Sequence, residues 1–105
     1  MSTLASASIA AQNTFTTAKM LQGDFNVSIS STFAATVTVQ RSPDNTNWFD
    51  VNTFTTPIET AGFEPELMWY RVGVKTGDYT SGTAAVRLGL DNEVFQHLKA
   101  VGLNA

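Results

Sequence analysis

The sequence predicts an all-β fold: an antiparallel β-sandwich of immunoglobulin-like or jelly-roll-like type, followed by a short C-terminal amphipathic helix. Apolar and polar residues alternate with period two over much of the chain, which is typical of strands with one buried and one solvated face. Gly, Pro, Asp, Asn and Ser separate these stretches and supply turn chemistry. Only 14% of the residues are charged, so much of the polar surface is Thr, Ser and Asn, which favours strands and turns over helices.

The stretch 69–90 is the centre of this prediction. Tyr70, Val72 and Val74 alternate with their neighbours, and the alternation resumes after a polar loop around Gly77. We predict an antiparallel hairpin here. Its apolar face needs a cover from the rest of the chain, because a lone hairpin is marginal in water.

The N-terminal segment, residues 1–12, is rich in Ser and Ala and carries no charged side chain, so it has little to bury. We expect a flexible arm, either a frayed terminus or one that orders on a neighbouring subunit through Leu4 and Ile9. The β-prone stretch 13–22 predicts a first strand at the edge of the sandwich, and the sandwich domain is expected to cover 13–90.

Two further strands are predicted at 25–29 and 33–39, where apolar residues occupy alternate positions. A second hairpin is predicted over 37–51, because residues 42–45, with the sequence Ser-Pro-Asp-Asn, fit a type I turn.

The segment 52–66 is predicted to be looser, since two prolines and a glycine interrupt it. Phe54, Ile58 and Phe63 are expected to pack at the rim of the core. The chain thus contains six or seven short strands, which is the spacing of a sandwich.

The chain changes character after Gly89. Asp91 fits a helix N-cap and Gly102 a helix end, so residues 91–105 predict a helix of about ten residues and a tail. A helix this short does not persist alone in water, so it must dock on its own domain or on another subunit. Its apolar face supplies our main candidates for inter-subunit contact, which are Val94, Phe95, Leu98 and Val101.

Charge and composition exclude several classes of partner. The net charge is -3 and the six basic residues are scattered, which argues against a nucleic-acid surface. There is no Cys for a disulfide or a thiolate metal site, and no apolar run reaches the length of a membrane helix. The first residues lack the features of a signal peptide, so we expect a soluble protein that is not secreted by the usual route.

The residues that could carry catalytic or metal chemistry do not form a recognised pattern. His97 is the only histidine, so a triad or a His-based metal site would depend on one residue of a marginal helix. Glu59, Glu64 and Glu66 lie in the looser segment and are interpreted as solvated carboxylates. Four polar residues suggest a calcium loop but lack the glycine and terminal Glu of an EF-hand, namely Asp44, Asn45, Asn47 and Asp50. We expect no enzymatic activity, no cofactor and no metal.

Trp48 and Trp69 have two interpretations. Packing in the core or at its rim is the default for tryptophan, whereas an exposed indole on a sandwich can stack on a sugar ring. Gly77 and Gly82 lack the lysine-bearing loop and following helix of a phosphate cradle.

The run VTVQRSPDNTNWFDV at 37–51 and the run YRVGVKTGDYTSGTAAVRL at 70–88 resemble small β-rich virion proteins encoded in the structural gene clusters of tailed phages and prophages. The resemblance covers about 25–89 and does not include the terminal helix. It rests on the hairpins and on a few positions, which are Trp48, Tyr70, Arg71, Gly77, Asp78, Tyr79, Ser81 and Gly82.

This resemblance implies a non-enzymatic virion protein assembled in the host cytoplasm. The first expectation is a capsid decoration (cement) protein that binds the major capsid protein or other virion subunits, forms a homo-oligomer and stabilises the outer shell. The alternative is an adaptor of a tail or head fibre, or a carbohydrate- or receptor-binding module that uses Trp48 or Trp69.

Overall fold

The computed structural model describes residues 2–90, and all regular structure in that range is β-strand. The predicted all-β class is therefore confirmed for this part of the chain. The strands are β1 (Ser2–Ile9), β2 (Thr14–Phe15), β3 (Lys19–Ser30), β4 (Phe33–Ser42), β5 (Phe49–Phe54), β6 (Ile58–Gly82) and β7 (Ala84–Leu90).

The seven strands form one antiparallel sheet in the order β1-β7-β3-β6-β4-β5, and the short β2 also pairs with β6. Strand β6 is central, since residues 58–70 pair with β3 and residues 69–82 pair with β4. Trp69 and Tyr70 pair with residues of both β3 and β4, so these two strands lie on opposite sides of β6. The outermost strands are β1 and β5, and each leaves one backbone edge without a neighbouring strand among residues 2–90.

Alternating side chains of these strands form a single apolar core. Phe25, Val27 and Ile29 of β3 are buried, as are Val37 and Val39 of β4. Burial of each such side chain stabilises the fold by about 1.5–3 kcal/mol. The other buried members of the cluster are Ile9, Leu21, Met68, Tyr70, Val72, Val74, Ala84, Val86 and Leu88.

Strand β6 is strongly bent. Its 25 residues would extend roughly 80 Å if they were straight, whereas the longest dimension of the molecule is 51 Å. The pairing is irregular at three places: residues 65–67 face only Gln22 of β3, residues 75–78 face only Thr36 of β4, and Thr80 is an extra residue opposite the step from Ala34 to Ala35. Extra residues on one strand bend it and increase its twist. We refer to the irregularity at 65–67 as the β6 bulge.

The predicted hairpin over residues 69–90 is wrong. Both halves are strands, but β6 pairs with β4 and β2, while β7 pairs with β1 and β3. The chain turns at Thr83, whose amide donates to the Thr32 carbonyl at 3.0 Å, after Gly82 with a φ of +82°. Alternation correctly indicates a strand but does not identify its partner. The other predicted hairpin is confirmed, because β4 pairs with β5.

The prediction of a looser segment at 52–66 is also wrong. Strand β5 continues to Phe54 and β6 begins at Ile58. Pro65 lies in the β6 bulge, outside the regular ladder, which is where a strand tolerates proline. Of the three residues expected at the rim of the core, Phe54 packs against it, whereas Ile58 and Phe63 are exposed.

The N-terminal segment is not an arm over most of its length. Residues 2–9 form strand β1, which pairs with β7 throughout. Ala5 and Ile9 are buried, while Ser6 and Ser8 between them are exposed. Small apolar residues therefore suffice to bury one face of this edge strand. The low hydrophobicity of the segment makes such a strand hard to recognise in the sequence.

The predicted helix and tail at 91–105 lie outside the described residues. The candidate contact residues Val94, Phe95, Leu98 and Val101, together with His97, belong to that segment. Their interpretation stays a prediction.

The Gly62→Ala variant is expected to lower the free energy of unfolding by about 1–2 kcal/mol. A Cβ at Gly62 would lie 2.6 Å from Cζ of Phe25, whose ring is buried and packs 4.9 Å from the Tyr70 ring. Urea denaturation measures the change, with Ala61→Ser at the exposed neighbouring position as a control. Equal stability of the Gly62 variant and the wild type would contradict this packing.

Candidate functional site

Large apolar side chains are exposed at the open edges of the sheet. Three of them expose more than half of their surface to solvent, namely Phe63 (66%), Phe49 (59%) and Leu67 (57%). We define the apolar side of the molecule by the five residues of β5 and β6 in this group, which are Phe49, Val51, Ile58, Phe63 and Leu67.

The topology of β6 leaves the strand segments that carry these five residues at two open edges of the sheet. Residues 58–68 pair only with β3, so the edge that β4 occupies farther along β6 is open here. Strand β5 pairs with the far side of β4, so its open edge faces away from β6 on the same side as β4. Both open edges therefore lie on one side of the sheet. The sixth exposed apolar residue, Met20, pairs with Trp69 on the β3 side.

A buried carboxylate lies beside the apolar side. Glu64 is only 2% exposed, and its Oε1 accepts hydrogen bonds from the Tyr70 hydroxyl at 2.7 Å and from Arg41 Nε at 2.8 Å. Its Oε2 accepts from the second Arg41 nitrogen, Nη2, at 2.9 Å and from the Glu66 amide at 3.1 Å. The interpretation of Glu64 as a solvated loop carboxylate is therefore wrong, because this carboxylate is buried and fully engaged.

The surroundings of Glu64 keep it ionised. Burial raises the pKa of its carboxyl, but hydrogen bonds from Tyr70, Arg41 and the Glu66 amide outweigh burial and hold that pKa below its usual value. Burial and the Glu64 carboxylate raise the pKa of Tyr70, so the phenol stays protonated and continues to donate. The group is a structural ion pair of Arg41 and Glu64 with a phenol attached.

This group determines the shape of the β6 bulge. Glu64 directly precedes the bulge, and its carboxylate accepts a hydrogen bond from the Glu66 amide across Pro65. From the other strand, Gln22 Nε2 donates to the Pro65 carbonyl at 2.9 Å. Phe63 and Leu67 flank these fixed residues, so the buried carboxylate holds the backbone beside the two most exposed large apolar side chains of β6.

A second polar cluster lies around Arg71. Its guanidinium lies between two rings, 4.1 Å from the centroid of Phe15 and 4.2 Å from that of Trp48. Arg71 Nε also donates to Gln40 Oε1 at 2.9 Å. Each cation–π contact contributes about 0.5–1 kcal/mol at a partly exposed site. The cluster therefore fixes the end of the β4–β5 connection, where Trp48 lies, to β6 and β2.

The same cluster holds the open strand β5 in place. Gln40 Nε2 donates to Asp50 Oδ1 at 2.9 Å, and Lys75 Nζ donates to Asp50 Oδ2 at 2.6 Å. Lys75 and Gln40 lower the pKa of Asp50 by these hydrogen bonds. Phe49 and Val51 adjoin Asp50 in the chain, so this anchor positions the β5 part of the apolar side.

Both tryptophans are half-buried, but their surroundings differ. Trp48 is half-buried and one face of its ring is covered by Arg71, so that face is not available to a sugar. Trp69 is half-buried and pairs with Met20 and Ser42 on its two sides.

Leu4 and Ile9, the candidate contact residues of the N-terminal segment, differ in how deeply they are buried. Leu4 is partly buried and packs against the core, whereas Ile9 is 1% exposed and belongs to the chain's own core. Ile9 is therefore not placed to contact another subunit in this fold.

Asp44 of the suggested calcium loop uses its carboxylate oxygens within the turn. Asp44 accepts hydrogen bonds from the amides of Thr46 and Asn47 at 2.9 and 2.8 Å, and from the Ser42 hydroxyl at 3.0 Å. These bonds lower the pKa of the Asp44 carboxyl. Within residues 2–90, no group of three or more metal-ligating side chains is close enough to hold an ion.

The outer face of β3, β6 and β7 carries a shallow groove of about 380 Å³. Arg87 forms one wall and donates to Asn26 Oδ1 at 2.8 Å and to Thr3 Oγ1 at 2.7 Å. Glu59 forms the other wall, with a hydrogen bond from Ser28. Both groove walls are thus bonded to side chains of neighbouring strands.

In the described part of the chain, no helix is long and apolar enough to cross a membrane. Comparisons of the chain with protein-family models, with curated proteins and with solved structures find no match. The apolar side, with the Glu64 group and the Arg71 cluster that position it, is therefore the candidate functional site on structural grounds.

Proposed function

We propose that this chain is a non-enzymatic structural subunit of a tailed-phage virion, a capsid decoration protein that binds the outer shell and stabilises it. The observation that carries the proposal is the apolar side, where Phe49, Phe63 and Leu67 each expose more than half of their surface. Large exposed apolar side chains grouped along open sheet edges are a feature of protein-interaction sites.

The apolar side is expected to give weak binding for one copy and strong binding for many copies on the same shell. Burying one large apolar side chain stabilises a contact by about 1.5–3 kcal/mol, and part of that is lost to the ordering of the partners. A single copy therefore binds weakly. Many copies on a symmetric shell that also contact each other bind with much higher avidity. The partners proposed are the major capsid protein or another virion subunit, and further copies of this chain.

We infer that the bent sheet forms the two layers of a sandwich, which supplies the rigid body for this role. Phe54 lies two strands from Val74, at about 10 Å. Ile58 follows Phe54 by four residues, or at most about 14 Å of chain. Residues 58 and 74 are thus within about 24 Å, whereas a straight strand would separate them by roughly 53 Å. The bend brings the halves of β6 toward each other over the core.

The proposal is tested with the phage whose genome encodes the chain. Shells stripped of the protein are expected to rupture at a lower temperature than complete shells, and adding back the purified protein should restore the original value. The physical reason is mass action, because a ligand that binds only the intact shell stabilises it. Bovine serum albumin at equal concentration is the control. Failure of the protein to co-sediment with stripped shells would contradict the proposal.

A further inference from the structure

Strand β1 presents an unprotected edge. It pairs only with β7, so the other edge of its eight residues carries backbone N–H and C=O groups without a partner in the described chain. None of these eight residues is charged, and none is proline. Natural sheets usually protect an open edge with charges, proline or bulges, because such an edge readily pairs with another strand.

The other long open edges in the described range have this protection. Residues 58–68 of β6 include Glu59, Pro65 and Glu66. Strand β5 carries Asp50 and an irregular register opposite β4. Strand β1 also has one register shift, between Thr3 and Ala5, but the run that follows it to Ile9 is regular.

We propose that β1 pairs antiparallel with β1 of a second copy of this chain, which joins two sheets into one across a two-fold axis. Two identical antiparallel strands satisfy each other's backbone groups about such an axis. An uncharged strand also brings no like charges together, which a charged edge would do.

The side chains of β1 fit this arrangement. A two-fold axis perpendicular to the sheet places the buried face of β1, with Ala5 and Ile9, on the same side in both copies. Leu4 and Ala7 are only partly buried in the single chain, although both pack against its core. A second β1 would cover them from the open edge. The small Ser6 and Ser8 on the opposite face leave room for close approach.

This inference concerns the chain in solution and does not rest on the proposed virion role. The apolar side is formed by β5 and β6, and β1 lies at the opposite end of the strand order. One surface would therefore join copies to each other while the other remains free for a different partner.

The test uses the full chain and sedimentation velocity over a range of protein concentrations. The wild type is expected to show a reversible monomer–dimer equilibrium. Ser6→Lys, near the middle of β1, should weaken the dimer roughly tenfold or more, because the two lysines meet near the axis. Ser30→Lys, at an exposed serine of the inner strand β3, is the matched control and should dimerise like the wild type.

A charge-reversal pair distinguishes loss of the interface from loss of the fold. Ser6→Glu alone should dimerise as poorly as Ser6→Lys, whereas an equimolar mixture of the two should recover the dimer. A wild type that stays monomeric at every concentration would overturn the inference, as would a Ser6→Lys variant that dimerises normally or a mixture that does not recover. Shell binding by a strictly monomeric protein would overturn this inference and leave the proposed function standing.

Discussion

Replacement of Glu64 by Ala is expected to lower the free energy of unfolding by about 2–4 kcal/mol. The variant leaves the buried Tyr70 hydroxyl and the Glu66 amide without their acceptor, and it opens space in the β6 bulge. Arg41 contributes less to the loss, because its side chain is 37% exposed and can turn to water. Chemical denaturation monitored by tryptophan fluorescence measures the change.

A double-mutant cycle isolates the hydrogen bond from the cavity. In a Tyr70→Phe background the hydroxyl is already absent, so Glu64→Ala should cost less there than in the wild type by about 1 kcal/mol or more. Additive effects of the two substitutions would show that the bond between Glu64 and Tyr70 does not stabilise the fold.

The same carboxylate makes stability depend on pH in a defined direction. The pKa of Glu64 is lower in the folded chain than its usual value, which is about 4.3 in an unfolded chain. Its contribution to stability is therefore complete above that value and is lost as the pH falls through the folded-state pKa. Glu64→Gln should have a flatter stability profile in acid than the wild type. Identical profiles would contradict an ionised, stabilising Glu64.

Two charges placed on the apolar side should strongly weaken the proposed binding to capsid shells. Phe63 and Leu67 are 66% and 57% exposed, so Phe63→Asp and Leu67→Asp together should leave the fold intact. Burying two carboxylates in an apolar contact carries a large desolvation cost, and we expect the affinity for stripped shells to fall by about 100-fold or more. Co-sedimentation at several protein concentrations measures the affinity.

The matched control carries the same two charges elsewhere. Thr80→Asp and Ser81→Asp lie at exposed positions near the end of β6, beside Ala34 and thus at the opposite end of β4 from Arg41, which pairs with Phe49. This variant should bind shells like the wild type. Equal affinity of the apolar-side variant and the wild type would remove the apolar side from the contact.

The local character of most strands could be predicted from the sequence. Phe25, Val27 and Ile29 alternate with polar residues because one face of β3 is buried, and that period is visible in any single strand. The turn between β4 and β5 was also predictable, since Asp44 caps it with bonds to amides only two and three residues away. Local chemistry of this kind does not depend on the rest of the fold.

The partners of the strands and the candidate site could not be predicted in the same way. Strand β7 pairs with β1 and β3, which lie far from it in the sequence. Glu64 is buried only because Arg41 and Tyr70, brought together by the pairing of β4 with β6, satisfy its charge. Glu64 occupies the same alternate positions of the strand as the buried Met68 and Tyr70, which indicates a buried side chain. That alternation is informative only if 58–70 is recognised as one strand, and Pro65 and Gly62 conceal this.

The most direct test of the proposed virion role is cryo-electron microscopy of purified virions from the phage proposed to encode this chain. The proposal predicts density of about 11 kDa per copy, repeated over the outer shell, with the apolar side of β5 and β6 against the capsid surface. Density confined to the portal vertex or the tail, or virions that lack the chain, would contradict a capsid decoration role.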